Sequence, residues 1–205
     1  MLDPQGVFRA DALSDIPNLV HGFGTRHAQG WPALPTATVR QVHSDRVIFA
    51  GGPGVCGEAD ALATNRIGFV LSIRTADCVP ILIADPVHHT VAAVHAGWRG
   101  TASGILAKVL TGIAVKDVFV VIGPAIGACC FEVGPEVAVQ FGQSAEKTHI
   151  DLIEMNRRQA LQAGVPEARI SVSGCCTRCD ATLFHSFRLD REQSGRMVTA
   201  IGWIG

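Results

Sequence analysis

The sequence of 205 residues contains no tyrosine, few charged residues and no long apolar run. The absence of tyrosine excludes a catalytic tyrosine. Charged residues make up 17% of the chain, below the usual ~25%. The net charge of −1 comes with no cluster of Lys and Arg of the kind that binds nucleic acid. No apolar run approaches the ~20 residues that span a bilayer, so we expect no nucleic-acid partner and no membrane partner.

Residues 1–15 lack the basic start and apolar core of a secretory signal, which predicts a cytoplasmic protein. In that reducing compartment, seven irregularly spaced cysteines are more often free thiols or metal ligands than disulfides. The length predicts one domain over residues 1–205. The low charged fraction indicates a large core, or a surface covered by another copy, so we expect a monomer or a small homo-oligomer.

Apolar β-rich runs recur along the chain, and FVLSIR, VPILIA and TVAAVH are almost continuously apolar, as in strands covered on both faces. The clearest helical pattern has Asp151 and Glu154 at capping-box spacing and Gly164 at its end. Together these patterns predict a mixed α/β or α+β fold with helices outside packed sheets. Strands are predicted at 19–25, 39–42, 46–50, 69–74, 79–84, 90–95, 117–122, 168–173 and 196–203, and helices at 98–112, 135–142 and 151–163.

Three segments contain residues that can bind a metal: QVHSDRV (41–47), RTADCVPILIAD (74–85) and VAAVHAGWRG (91–100). His43 follows a short apolar run, Cys78 lies in the break between two strands, and His95 ends a strand. Neighbouring strands can bring such ends together, and three N or S ligands with a fourth position open is the usual plan of a catalytic zinc site. The alternative is that each is an ordinary hydrogen-bonded residue, because separations of 35 and 17 residues match no local zinc motif.

The same segments belong to a longer series of motifs, in which TADCxP followed by HAGWRG is a highly specific combination. The series runs from about His21 to Met197 and includes Gln41–His43, Ala59–Leu62, Thr75–Pro80, His95–Gly100, Gly123–Gly127, Phe131–Gly134 and Gly195–Arg196. It resembles the YfiH-like family, whose members are labelled laccase-domain or polyphenol oxidase proteins. That family has been associated with purine nucleoside phosphorolysis and adenosine deamination.

The resemblance implies stacked mixed β-sheets flanked by helices, in a layered αββα arrangement. It also implies zinc, with copper as the other candidate, bound at a catalytic centre by His43, Cys78 and His95. Asp77 is then a further catalytic candidate, as a proton-transfer group or as a partner that orients a ligand. Alternatively, Asp77 caps the turn before Pro80.

Three arginines are candidates for binding phosphate. Arg26 lies in a segment that resembles the family's early Gly–Arg stretch, Arg46 follows the first predicted ligand by three residues, and Arg99 opens a predicted helix just after the last ligand. A bound anion favours guanidinium groups and a helix N-terminus; the alternative for each is a solvated surface side chain. The loop after Arg26 departs from the family's Gly-Gly-x-Ser stretch, and Phe131 stands where the family often has Tyr.

The remaining cysteines are interpreted as secondary features. Cys176 and Cys179 form a C-x-x-C, the spacing of half a zinc site or of a redox pair, but the chain has no second C-x-x-C or H-x-x-H to complete it. We therefore expect segment 175–179 to line the pocket and to be dispensable for metal binding. Cys56, Cys129 and Cys130 are expected to be small buried apolar side chains.

Four functions remain open at this stage. The resemblance favours a zinc-dependent purine nucleoside phosphorylase, acting on adenosine, inosine or methylthioadenosine, with adenosine deaminase activity; its partners are a purine nucleoside and phosphate. A laccase-like copper oxidase is the second, although the eight histidines include no His-x-His. The third is a metal-free hydrolase with Cys78 as nucleophile, and the fourth is a metal-binding module without enzymatic activity.

Overall fold

The computed structural model of the chain describes residues 1–113 and 115–205. Its strands are β1 (Val7–Phe8), β2 (Leu19–Gly24), β3 (Thr36–Arg40), β4 (Val47–Phe49), β5 (Gly54–Glu58), β6 (Ala61–Thr64), β7 (Val70–Thr75), β8 (Val79–Asp85), β9 (Thr90–Ala96), β10 (Phe119–Ile122), β11 (Glu132–Val133), β12 (Thr148–His149), β13 (Ile170–Val172) and β14 (Met197–Trp203). Its helices are α1 (Asp11–Ser14), α2 (Trp98–Ala102), α3 (Ile105–Thr111), α4 (Pro135–Ala138), α5 (Leu152–Gln162) and α6 (Phe187–Asp190).

The larger strands form two six-stranded sheets. The first has the order β1-β2-β14-β7-β3-β5 and the second the order β13-β10-β8-β9-β6-β4, while β11 and β12 pair separately. Both sheets are mixed, because β3 runs parallel to β5 and β7, β4 to β6, and β10 to β13, whereas the other pairs are antiparallel. The predicted class, a mixed α+β fold with stacked mixed sheets, is confirmed.

The apolar runs explain why the sheets stack. Every residue of β8 is buried, and its alternate side chains face two different cores, as the period of two in a strand requires. Leu82 and Ala84 pack with Leu71 and Ile73 of the first sheet. Ile81 and Ile83 point the other way, into a core shared with the helices. The second sheet is therefore the middle layer of the molecule.

Helices α3 and α5 cover the outer face of this middle sheet, with Leu106, Leu110 and Ala160 in the shared core. Helix α5 begins as predicted, because the Asp151 side chain accepts the backbone N–H of Glu154 at 2.9 Å. The helix predicted over 98–112 is instead two helices, since Gly104 adopts φ = 73° and interrupts the helical backbone between them. The predicted segment 135–142 is one helical turn followed by a 3-10 turn.

The predicted strands are all present, but the one expected at 39–42 lies earlier, at Thr36–Arg40. Strands β1, β5, β6, β11 and β12 were not predicted. Strands β1, β11 and β12 have only two residues each, and β5 is short, rich in glycine and mostly exposed, so it lacks a clear apolar period. The helices in residues 1–113 and 115–205 include none that is long and apolar enough to cross a membrane.

Candidate metal centre and its pocket

Two of the three predicted ligands are brought together by one hairpin. Strands β8 and β9 pair in antiparallel register, with Val79 opposite Ala96 and Pro80 opposite His95. Cys78 immediately precedes β8, so its side chain lies at the end of the hairpin where His95 also lies. Cys78 is partly exposed, whereas His95 is buried with only 3% of its surface accessible.

The third ligand, His43, lies in a turn after β3 that is held by a buried carboxylate. Asp60 accepts the backbone N–H of His43 at 3.0 Å and that of Ser44 at 2.6 Å, together with the Ser44 hydroxyl at 2.7 Å. His43 has φ = 57°, a left-handed conformation that is uncommon for residues other than glycine. The hydrogen bonds to Asp60 fix this turn and present the exposed imidazole to Cys78.

Gln41 fastens the same turn to the first sheet. Its side-chain amide donates to the carbonyl of Arg74 at 2.8 Å and accepts the N–H of Arg74 at 2.8 Å. This paired contact continues the alignment of β3 with β7 beyond their last backbone ladder contact. His43 is therefore positioned from both sheets.

The ligand atoms of His43, Cys78 and His95 all lie within 4.8 Å of one another. The two imidazole rings are 4.9 Å apart and almost perpendicular. A Cβ atom on Gly97 would lie 3.1 Å from Sγ of Cys78 and 3.2 Å from the His43 ring. Glycine at position 97 therefore leaves the space that the three side chains occupy.

Electrostatics favour an ionised thiol in this cluster. Burial opposes ionisation of Cys78, but contacts with His43 and His95 outweigh it and lower the thiol pKa to about 6. Burial likewise opposes protonation of His95, but Asp60 and Cys78 raise its pKa to about 9. Although burial alone would raise it, the pKa of Asp60 is held well below its usual range by hydrogen bonds from His95 and Ser44.

This donor set fits a metal ion. Nδ1 of His95 lies 2.8 Å from Oδ1 of Asp60, which directs the other ring nitrogen towards Cys78. A carboxylate behind a ligating histidine is the common way of fixing its tautomer and orientation. Two imidazoles and one thiolate match the ligands that zinc takes in sites with an open coordination position.

Asp77 is also fixed in place, at φ = 80°. Oδ1 accepts the hydroxyl of the buried Thr177 at 2.7 Å, and Oδ2 accepts the backbone N–H of Arg188 at 2.6 Å. Its own carbonyl accepts the N–H of Ile126 at 2.9 Å. Asp77 thus joins three separate chain segments beside Cys78, an arrangement that its neighbours in the sequence did not reveal.

The cluster of His43, Cys78 and His95 opens into a cavity of about 920 Å³, within the usual range for small-molecule sites. Its walls combine charged and aromatic side chains. Lining residues are Val39, Arg40, Gln41, His43, Arg74, Thr75, Ala76, Asp77, Cys78, His95, Ile126, Phe131, Phe187, Arg188, Glu192, Ser194, Gly195 and Arg196.

The three arginines singled out in the sequence do not line this cavity. Arg26 donates to the carbonyl of Ala181, Arg46 lies 3.9 Å from Glu58, and Arg99 stacks on Trp98.

The cavity contains four other arginines, Arg40, Arg74, Arg188 and Arg196. The guanidinium of Arg188 lies 5.3 Å from the centre of the Phe131 ring, and that of Arg196 lies 5.8 Å from the centre of the Phe187 ring. Sequence reasoning missed Arg188 and Arg196 because they are distant from the predicted ligands along the chain, although Arg196 falls within a resembling motif. It also passed over Arg40 and Arg74, which lie three and four residues before His43 and Cys78.

The cysteines outside the cluster differ from expectation. Cys129 is exposed, not buried, and lies with Cys130, Cys176 and Cys179 in one group whose sulfur atoms are within 4.8 Å of one another. The partner pair that appeared to be missing for Cys176 and Cys179 is therefore Cys129 and Cys130. Segment 175–179 is absent from the residues that line the cavity; it lies behind the wall, where Thr177 binds Asp77.

Comparison with known proteins places these features in a family. Residues 12–204 match the family model described as multi-copper polyphenol oxidoreductase laccase. A protein named purine nucleoside phosphorylase YlmD, from Geobacillus stearothermophilus, is 41% identical over 169 residues, covering 73% of this chain and 60% of the relative. A protein named adenosine deaminase RL5, from an unknown prokaryotic organism, is 40% identical over 160 residues, covering 69% of this chain and 61% of the relative. The chain thus matches about three fifths of the length of each relative.

The fold is shared with a solved structure. The crystal structure of YlmD from Geobacillus stearothermophilus has a TM-score of 0.91 and 29% sequence identity, covering 100% of this chain and 98% of that one. Both the order of the elements and the stacking of the two sheets therefore follow a known architecture.

Proposed function

We propose that this chain, which belongs to the multi-copper polyphenol oxidoreductase laccase family, is a zinc-dependent purine nucleoside phosphorylase that also deaminates adenosine. The names of the two relatives support a purine nucleoside as substrate. The observation that supports the reaction is that a single cavity combines a Cys/His₂ cluster, four arginines and two phenylalanine rings.

His43, Cys78 and His95 would hold the zinc ion, with Asp60 positioning two of the three ligands. When bound, zinc supplies Lewis-acid chemistry next to the cavity. The lowered pKa of Cys78 suits this role, because a cysteine binds metal as the thiolate.

The arginines give the cavity its affinity for an anion. A guanidinium can donate two parallel hydrogen bonds to a phosphate while also supplying positive charge, and Arg74 lines the cavity in a position to do so. In Arg188 and Arg196, Nη1 already donates to backbone carbonyls, and the other N–H groups of each guanidinium can bind phosphate. Arg40 is engaged with Glu58 and contributes less. Phosphate held here is an oriented nucleophile, and orientation is a large part of the acceleration of a bimolecular reaction.

The aromatic side chains supply a site for the base. Phe131 and Phe187 both line the cavity, and each has a guanidinium near its ring. A purine presents flat apolar faces that stack on such rings.

Atoms and electrons balance in both proposed reactions. In phosphorolysis, a phosphate oxygen bonds to the anomeric carbon of ribose while the bond to the purine nitrogen breaks; the base leaves with the electron pair and takes up a proton. In deamination, water replaces the amino group of adenosine and ammonia leaves. We assign Asp77 to positioning, because both of its carboxylate oxygens already accept hydrogen bonds from Thr177 and Arg188.

A copper oxidase is the second candidate, and the name of the family favours it. Only two of the eight histidines join a cluster of metal-binding residues in the described part of the chain. Blue-copper centres also use two histidines and a cysteine, so copper binding by itself does not decide between the candidates. Oxygen-dependent turnover of a phenol by the copper-loaded protein would favour the oxidase.

A metal-free cysteine hydrolase is the third candidate, since Asp60, His95 and Cys78 are connected in the order of a catalytic triad. Complete removal of metal distinguishes it. Under the proposed function, a chelator abolishes turnover and added zinc restores it. Turnover that survives metal removal would favour the hydrolase.

The decisive experiment is product analysis with inosine, adenosine and methylthioadenosine in buffers with and without phosphate. We expect free base and the sugar 1-phosphate only when phosphate is present, and slower formation of inosine from adenosine in both buffers. Base release that is independent of phosphate would identify a nucleoside hydrolase and would contradict the proposal.

A further inference from the structure

Four cysteines outside the proposed catalytic centre form a second cluster. Cys129 and Cys130 lie in the turn between β10 and β11, and Cys176 and Cys179 lie in the loop between β13 and α6. Their sulfur atoms all lie within 4.8 Å of one another. Proposed catalysis uses none of them, so their convergence needs another explanation.

The three shortest separations between the sulfur atoms, those among Cys129, Cys130 and Cys179, are close to those of a tetrahedral site, and Cys176 Sγ lies within 4.8 Å of the other three. Cys129 Sγ lies 3.7 Å from Cys130 Sγ and 3.7 Å from Cys179 Sγ, while Cys130 and Cys179 are 3.5 Å apart. Four sulfurs at ~2.3 Å from a tetrahedral zinc ion lie about 3.8 Å from one another. Disulfides would instead draw the sulfurs into pairs at ~2.05 Å.

Two hydrogen-bond donors lie against sulfur atoms of the cluster. The backbone N–H of Gly127 donates to Sγ of Cys176 at 3.2 Å, and Nη1 of Arg178 donates to Sγ of Cys130 at 3.5 Å. Such donors stabilise thiolates, and the guanidinium offsets part of the negative charge of a four-thiolate zinc centre. A Cβ atom on Gly127 would lie 3.3 Å from Cys129 Sγ and 3.5 Å from Cys176 Sγ, so this glycine keeps the space around the sulfurs open.

We infer that Cys129, Cys130, Cys176 and Cys179 bind a second zinc ion, in a closed four-thiolate site that is structural and not catalytic. Four protein ligands leave no open position for a substrate, which is the usual distinction between structural and catalytic zinc. The site is independent of the proposed reaction, since it would exist whichever substrate the cavity takes.

This second zinc ion would join two segments that lie behind one wall of the cavity. Thr177 lies between Cys176 and Cys179 and donates to Asp77. Arg188 donates from Nη1 to the carbonyl of Cys130 at 3.3 Å and from its backbone to Asp77. The second zinc therefore fixes the hydrogen bonds that position Asp77 beside Cys78.

Metal analysis of the purified protein and three variants tests this inference. We expect two zinc ions per chain in the wild type, one in Cys78→Ala and one in the double variant Cys176→Ser/Cys179→Ser. Cys175→Ser is the matched control, because Cys175 neighbours the cluster but is not part of it, and it should keep both ions. Full wild-type zinc content in the double variant would overturn the inference.

In the Cys78→Ala variant the second cluster keeps all four cysteines, so the metal bound there can be examined alone. Zinc X-ray absorption of that variant should show four sulfur ligands and no nitrogen. Its cobalt-substituted form should show the intense visible and near-ultraviolet bands of a four-thiolate tetrahedral centre. Iron in place of zinc, a disulfide among the four cysteines, or no metal in this variant would each contradict the inference, whether or not nucleosides are turned over.

Discussion

Asp60 and His95 lie side by side in the core, with Oδ1 of Asp60 2.8 Å from Nδ1 of His95. The same carboxylate also accepts the backbone N–H groups of Val42, His43 and Ser44. One fully buried side chain therefore orients two of the three proposed ligands, although it contributes no ligand atom itself.

Replacing Asp60 with Asn should weaken zinc binding at the catalytic centre by about 10–100-fold, the usual cost of losing the partner of a ligating histidine. Zinc affinity measured by competition with a chromogenic chelator checks this prediction. Asp85→Asn is the matched control: Asp85 is equally buried and also binds a histidine, His88, but at the far end of β8. Equal loss of affinity in both variants would attribute the effect to general destabilisation.

Cys78→Ala should remove one zinc ion per chain and abolish turnover while leaving the fold intact, because the change removes the sulfur ligand from the edge of a large core. Metal analysis, activity assays and circular dichroism test the three parts. Cys56→Ala, which lies in β5 away from both clusters, should retain metal and activity. A Cys78→Ala protein with unchanged metal content would contradict the proposed ligand set.

Arg74→Ala and Arg196→Ala should each raise the KM for phosphate by about tenfold or more, since a charge-assisted hydrogen bond contributes ~1.5–3 kcal/mol. Initial rates at varied phosphate, with saturating inosine, provide the measurement. Arg158→Ala on the exposed face of α5 is the matched control. Arg46→Ala tests the candidate from the sequence: it should keep the wild-type KM, because Arg46 does not line the cavity. An increase confined to Arg46→Ala would favour that candidate instead.

Thr177→Val should destabilise the protein by about 1–3 kcal/mol, because it leaves a carboxylate oxygen of Asp77 without its hydroxyl partner. The kcat should fall with little change in the KM for nucleoside, as expected for a residue that positions another. Thr177→Ser restores the hydroxyl and should recover both stability and kcat. If the serine variant is as impaired as the valine variant, the methyl packing of Thr177 matters and not its hydrogen bond.

Lowering the pH should destabilise the fold through His21. Burial, with help from the charge of Arg9, lowers the pKa of His21 from 6.5 to about 4. Between these pH values, the unfolded chain binds a proton that the folded chain does not. The contribution of His21 to the free energy of unfolding is therefore complete above pH ~6.5 and falls as the pH drops. The loss amounts to about 3 kcal/mol by pH 4.

Urea unfolding at a series of pH values measures how the free energy of unfolding changes with pH. His21→Gln should flatten the dependence between pH 4 and 6.5, whereas His149→Gln, at an exposed position, should leave it unchanged. A slope that is the same in His21→Gln and in the wild type would show that other groups cause the acid sensitivity.

The sequence predicted those parts of the molecule that are encoded in local patterns. Buried strands such as β8 and β9 are continuous apolar runs, and the break before Pro80 correctly placed Cys78 at the end of a strand. Helix 98–112 was predicted as continuous because the apolar period continues through Gly104, whose left-handed backbone interrupts the helix.

Contacts between distant segments could not be predicted in the same way. Asp60 lies in a matching motif, but nothing near it in the chain shows that it binds both His95 and the His43 turn. The four-cysteine cluster was missed because half of it is an adjacent pair, Cys129–Cys130, which lacks the spacing of a known motif. The two halves are brought together by contacts between distant segments, among them the pairing of Ala125 with Cys176 and the hydrogen bond from Gly127 to Sγ of Cys176.

The β8–β9 hairpin also explains why the 17-residue interval between Cys78 and His95 matches no ligand motif. That interval is the length of the path along one strand, around a turn and back along the next. Residues added within the Pro86–His89 turn would lengthen the interval and leave the two side chains adjacent. One residue added inside either strand would move a ligand to the opposite face of the sheet. For this site, strand register is thus under tighter constraint than sequence spacing, and a search by fixed intervals would overlook relatives with longer turns.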